Sequence, residues 1–168
     1  MNDPRFDRLA ELLVSHSTRL EPGEHLLVES FEAPDPFIVA VVRAARARGA
    51  HPHVAIRSTR VLRALVDGAD PAQIATWSDI DEHRMKAMDA YIGVRGSSNA
   101  SEMASVDEGS MSLFGRGYQK AVHFEERVKR TKWCVLRWPT PSMAQLAGMS
   151  TDDFEDFYFK VCCLDYGK

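Results

Sequence analysis

The side chains able to do chemistry in this 168-residue chain are scattered, and their spacings exclude most of what they could do. His51 and His53 lie two apart, so an extended segment would point both to one side, as a shared metal requires. A cation needs at least one more ligand, and no carboxylate or histidine offers itself at a suitable spacing. The pair reads as two polar residues at a strand entrance. His16, His25, His83 and His123 stand alone in sequence, and no HExxH occurs. The acidic residues between Asp152 and Asp156 could imitate a metal or acid–base cluster, but they fall where a helix begins, and the helix dipole accounts for them.

Ser97, Ser98 and Ser101 occupy a loop after an apolar run, with no Gly-x-Ser-x-Gly turn to expose a nucleophile. Arg95 and Asn99 lie at the carboxyl end of the same run, where open α/β sheets place ligands, and are the residues to watch there. Gly115-Arg116-Gly117 imitates a dinucleotide loop but follows no strand and lacks a third glycine. The first strand-to-helix turn, SFEAPDP, has no glycine, and there is no GxxxxGK[ST] loop. Cys134, Cys162 and Cys163 show no zinc spacing, and adjacent cysteines do not readily form an ordinary disulfide. They are expected to be reduced and mostly buried. The residues by themselves designate no catalytic, cofactor-binding or metal-ligating position.

A net charge of −3 gives no reason to expect nucleic acid as a partner, and no apolar run approaches a membrane span. The amino terminus, MNDPRFDRL, is charged and unlike a secretory signal, so the cytoplasm is expected.

The elements that must position these residues alternate. Asp3-Pro4 opens a helix with Phe6, Leu9, Ala10, Leu13, Ser17 and Leu20 on one face, and Pro22-Gly23 breaks it. Strands are expected at 26–28, 53–57, 91–94 and 133–138. Between them the pattern predicts helices from Asp35-Pro36 to Gly49, from Asp70-Pro71 to Ala87 or Met88 with a possible break at Ser78, and from Asp107 to Arg130. Asp35 is expected to cap its helix. A short AQLAG helix and a final helix follow. The last opens on a Ser150/Asp153 capping box and a Met149–Phe154 staple, with Phe154, Phe157, Tyr158 and Val161 as one apolar stripe. The expected fold is α/β, one domain over 1–168, with a mainly parallel sheet of about four or five strands and helices on both faces. It is Rossmann-like or flavodoxin-like, without a dinucleotide motif.

Several segments together are distinctive: DPRFDRLAELLVSHS with PGEHLLVES, then RAARARGAHPHVAIR, AYIGVRG with Asn99 beyond it, and KWCVLRWPTPSMAQLAGMS. The chain resembles the amino-terminal domain of metalloaminopeptidases of the aminopeptidase T and aminopeptidase S type, over essentially its whole length. The resemblance implies a two-domain, metal-dependent exopeptidase that releases amino-terminal residues from peptides, with two divalent ions (zinc or cobalt) and a homodimeric assembly around an enclosed cavity. It places the metal ligands in a carboxy-terminal catalytic domain, so none carries over, and this chain alone is expected to be inactive. Its implied role is to pack against that domain and help wall the cavity, leaving an apolar docking surface. The alternative is a free-standing α/β module that binds a partner or small molecule without peptidase activity.

Overall fold

A computed structural model describes residues 3–164. Four parallel strands, β1 (His25–Phe31), β2 (His51–Arg57), β3 (Ala90–Arg95) and β4 (Lys132–Arg137), form one sheet in the order β2-β1-β3-β4. From β1 the chain steps outward to β2, then returns across β1 to β3 and β4. The topological switch point therefore lies between β1 and β3.

Helix starts follow local capping chemistry. In α1 (Pro4–Leu12) the Asp3 carboxylate accepts from the Arg5 amide, and in α4 (Pro71–Lys86) Asp70 accepts from Gln73, with proline at the first helical position in each. The expected cap at Asp35 is not made: α2 (Asp35–Ala47) already includes that residue in its first turn, where its charge meets the dipole instead. A helix not anticipated from the pattern, α3 (Thr59–Val66), is capped by Ser58 and buries Val66 at its end. Helix α4 runs unbroken through Ser78, which is buried. The short α6 (Pro141–Leu146) precedes α7 (Thr151–Cys162), where Ser150 Oγ accepts from the Asp153 amide and donates to its carboxylate.

Strand alternation divides the interior. Leu26, Val28, Ile92 and Val94 face α1, α2 and α7, packing on Phe37, Val41, Tyr158 and Phe159. Leu27 and Tyr91 face the other way, onto Ile74, Phe114, Tyr118 and Val122. Helices thus lie on both faces, but the edge strands are poorly covered: Ile56 on β2 and Trp133 on β4 are 63% and 46% exposed. The stripe on α7 also divides differently from its spacing. Tyr158 and Phe159 enter the core, whereas Phe157 and Val161 are exposed. Among the cysteines, all free, Cys163 is buried while Cys134 and Cys162 are half-buried.

The long segment after β3 is α5 (Glu108–Phe114) running without interruption into a π-helix, Gly115–Val128. Gly117 is where this helix meets α4. A β-carbon there would stand 2.6 Å from Ile74 Cγ2, a fully buried side chain with no room to retreat. Gly117→Ala is expected to destabilise the protein by about 1–3 kcal/mol through this overpacking, measured by urea denaturation, while Gly115→Ala, which meets only Gln119 at 4.0 Å, should be near neutral.

Candidate functional site

The carboxyl ends of the strands open into a cleft of about 600 Å³ on the face that carries α4 and the π-helix. At its floor is a buried carboxylate. Glu29, at the third position from the end of β1, points to this face and is 2% exposed. Its direct neighbour on β3 is Gly93, and the two diagonal neighbours are Tyr91 and Arg95. The bare glycine lets both diagonals lean in: the Tyr91 hydroxyl and Arg95 Nη2 donate to Glu29 Oε2 at 2.7 and 2.9 Å. On the β2 side Arg57 Nε donates to Oε1 at 2.7 Å, and Arg127 Nη2 reaches the same oxygen from the π-helix at 3.1 Å.

Arg57 continues the network, since its Nη2 donates to Asp81 Oδ2 on α4 at 2.7 Å. Trp77 Nε1 and the Tyr118 hydroxyl donate to the same oxygen, and Arg84 takes Oδ1. Guanidiniums also lie over rings, Arg127 on Tyr91 at 4.6 Å and Arg95 on Phe31 at 4.5 Å.

This arrangement sets the protonation states. Burial pushes the Glu29 pKa up, but Arg127, Arg95, the Tyr91 hydrogen bond and Arg57 outweigh it and hold it at about 2. Burial and the neighbouring carboxylates push Tyr91 and Tyr118 well above the ordinary phenol range. Burial, then Arg127 and Arg95, lower the pKa of His123 on the cleft wall, so the ring is neutral at pH 7. An acid held at about 2 and phenols that do not ionise cannot exchange protons near neutrality. Glu29 and the two phenols therefore keep a fixed charge near neutrality.

Of the residues singled out from sequence, Arg95 and Asn99 both line the cleft. Arg95 belongs to the network. Asn99 is engaged in its own loop, accepting from the Ser101 amide and donating to Glu102. Ser97 Oγ exchanges hydrogen bonds with the Asn99 backbone, and the Ser98 amide donates to Glu32. The acidic run is accounted for by Ser150 and by Arg5, which binds Asp156 at 2.7 Å. His25 is not isolated: its Nδ1 lies 2.9 Å from His53 Nε2, and its ring is 5.0 Å from that of His51. Two of the three rings are thus hydrogen-bonded to each other, and no described group of three or more potential ligands could hold a metal ion. Burial raises the pKa values of all three cysteines, which keeps them as thiols. Glu29, Tyr91, Arg57, Asp81 and Arg127 were not foreseen. An isolated glutamate in an otherwise apolar strand, LLVES, was the available signal.

The family description "thermophilic metalloprotease (M29)" matches residues 2–167. The chain belongs to that family. Its members are metal-dependent hydrolases, which implies divalent metal use. Among solved structures, wild-type AmpT from Thermus thermophilus is similar with a TM-score of 0.71 and 14% identity, over 95% of this chain and 43% of that one. The chain therefore spans less than half the length of AmpT, and at this identity the likeness establishes the α/β fold. An alcohol dehydrogenase superfamily protein from Novosphingobium aromaticivorans (TM-score 0.38, 13% identity, 97% of this chain and 49% of that chain) and a quinone oxidoreductase from Thermus thermophilus (0.35, 22%, 92% and 50%) are only distantly alike. No curated protein matches the sequence. The described residues do not suit a two-ion centre, because the buried carboxylates that might anchor one, Glu29 and Asp81, are saturated by arginine, tyrosine and tryptophan donors.

The Glu29 shift has a definite sign. Its folded pKa of about 2 lies below the ordinary 4.5, so its stabilisation is complete above about pH 4.5 and is lost as pH falls through 2. Unfolding free energy from urea titrations should therefore decline steadily across that window. Glu29→Gln should cost about 3–5 kcal/mol at pH 7, because it leaves Arg95 and Arg127 without a carboxylate and takes from Arg57 one of its two, and should flatten the acid decline. An unchanged acid profile in the variant would refute the assignment.

Proposed function

We propose that this chain is the amino-terminal, non-catalytic domain of a metal-dependent aminopeptidase that releases amino-terminal residues from peptides. In this reading the ions, two divalent metals such as zinc or cobalt, are held by a carboxy-terminal catalytic domain. The present domain packs against it, helps wall the cavity that peptides enter, and contributes to a cytoplasmic homodimer. The observation that carries the non-catalytic role is the condition of Glu29 and Asp81. In a chain of a metalloprotease family, these buried carboxylates are engaged by cations of the protein itself, which already answer the charge a metal would need.

The α7 surface supports the docking role. Phe157 and Val161 fall at i and i+4 on α7 and are 53% and 47% exposed, and Leu164, just beyond the end of the helix, is 55% exposed. Such a stripe is unusual on a free-standing domain and suits an interface between domains. This favours the peptidase-domain reading over an independent module.

Two measurements test it. The 168-residue chain, incubated with cobalt or zinc and leucine p-nitroanilide, should release no more p-nitroaniline than the blank; chelator-sensitive release would overturn the non-catalytic assignment. In sedimentation velocity the same chain should self-associate, and Phe157→Ser with Val161→Ser should shift it toward monomer. A wild-type chain that is already monomeric at high concentration would remove the support drawn from the stripe.

A further inference from the structure

The cleft beside Glu29 carries more positive charge than its own carboxylates match. Three guanidiniums that line it, Arg57, Arg95 and Arg127, converge on the single carboxylate of Glu29; Arg57 also reaches Asp81, which lies behind the lining and is held by Arg84 as well. Of the other nearby acids, Glu102 at the rim pairs with Arg63 at 3.1 Å, Glu126 faces Arg130 at 3.6 Å, and Glu32 accepts from the Thr59 and Ser98 amides. Arg127 is the decisive group. Its side chain is 4% exposed and lines the cleft, and its Nε is buried without a hydrogen-bond partner. The guanidinium is paired with Glu29 through Nη2, so what is left over is a buried N–H donor, which is costly and which a bound anion would satisfy.

The walls are apolar and flat. Phe114 and Tyr118 stack with centroids 5.2 Å apart and 13° between planes, and Trp77 packs against both, 4.3 Å from Tyr118 and 5.6 Å from Phe114. On β4, Trp133 and Val135 point into the cleft 46% and 40% exposed. A convergent set of cations below an apolar slot, at the switch point of an open sheet, is the usual make-up of a small-molecule site. The anion type follows from what surrounds it. Phosphate is commonly held by glycine-rich turns and helix amino termini, and the turn after β1 offers prolines instead. Guanidinium forks match a planar carboxylate.

We propose that this cleft binds a small monoanion, a carboxylate joined to a flat apolar group, with the carboxylate on Arg127 and Arg95 and the apolar body between the Trp77–Phe114–Tyr118 stack and Trp133. The inference rests on the cleft alone and is independent of the peptidase reading. It assigns binding and no reaction.

The three tryptophans make the test specific, since Trp77 and Trp133 line the cleft while Trp138 lies in the core on the opposite face. The 15N-labelled chain is titrated at low ionic strength with N-acetylphenylalanine, with its neutral amide and with inorganic phosphate, and the three indole N–H signals are followed. The carboxylate should shift the Trp77 and Trp133 signals saturably and leave Trp138 in place. It should bind at least about tenfold more tightly than the amide or phosphate, and added salt should weaken it. Arg95→Gln should reduce affinity about tenfold, with an unchanged Trp138 signal reporting an intact fold. If that variant does not fold, the carboxylate-against-amide comparison on the wild type still decides. Equal binding of acid and amide, preferential binding of phosphate, a response at Trp138 alone, or no saturation by about 10 mM would each overturn the proposal.

Discussion

Glu29 organises this domain. A carboxylate with 2% exposure in the middle of a parallel sheet persists only if its charge is answered, and both neighbouring strands and the π-helix contribute to the answer. Gly93 on the facing strand is part of the same solution. A β-carbon there would meet the Tyr91 hydroxyl at 2.9 Å, and that hydroxyl cannot withdraw because Glu29 and Arg95 hold it. The glycine, tyrosine, arginines and glutamate therefore form one unit. Removing Glu29 leaves the arginines with unmatched charge, which costs more than the net strength of any one pair.

The unit is completed by helix winding as well as by residue type. Tyr118 and Arg127 are nine residues apart, about two and a half turns of an α-helix, which would set them on opposite faces. With i→i+5 winding the same nine residues make about two turns, and both side chains reach the buried network. Gly117 works with this by letting the start of the helix approach Ile74 on α4 without a side chain between them.

The domain thus carries two distinct surfaces on a shared scaffold. The cationic cleft lies at the switch point, on the α4 and π-helix face. The apolar stripe of α7 belongs to the opposite layer, whose inner side holds Tyr158 and Phe159 in the core. Membership of a metalloprotease family does not by itself assign chemistry to this part of the chain, because the titratable groups of its buried network are arranged to remain fixed in charge.

Local rules carried much of the architecture. Proline and its capping partner at Asp3 and Asp70, the serine cap at Ser150, and short apolar runs for all four strands were legible because they depend on neighbours in sequence. The parallel sheet followed from helix-length connections, and the family resemblance from extended segments of sequence. Where the pattern failed, a non-local partner or an unusual winding had overridden it. Asp35 lost its cap to an earlier helix start, His25 gained His53 only through strand pairing, and α7 turned Phe159 inward and Phe157 outward. The sequence by itself determined the four strands, most of the helices between them and the family, but not α3 or the π winding after α5. Only the tertiary structure decided that Glu29, Arg57, Asp81, Arg95 and Arg127 share one cleft. Their convergence depends on strand register and π-helical phase, and neither quantity is encoded within a short window of residues.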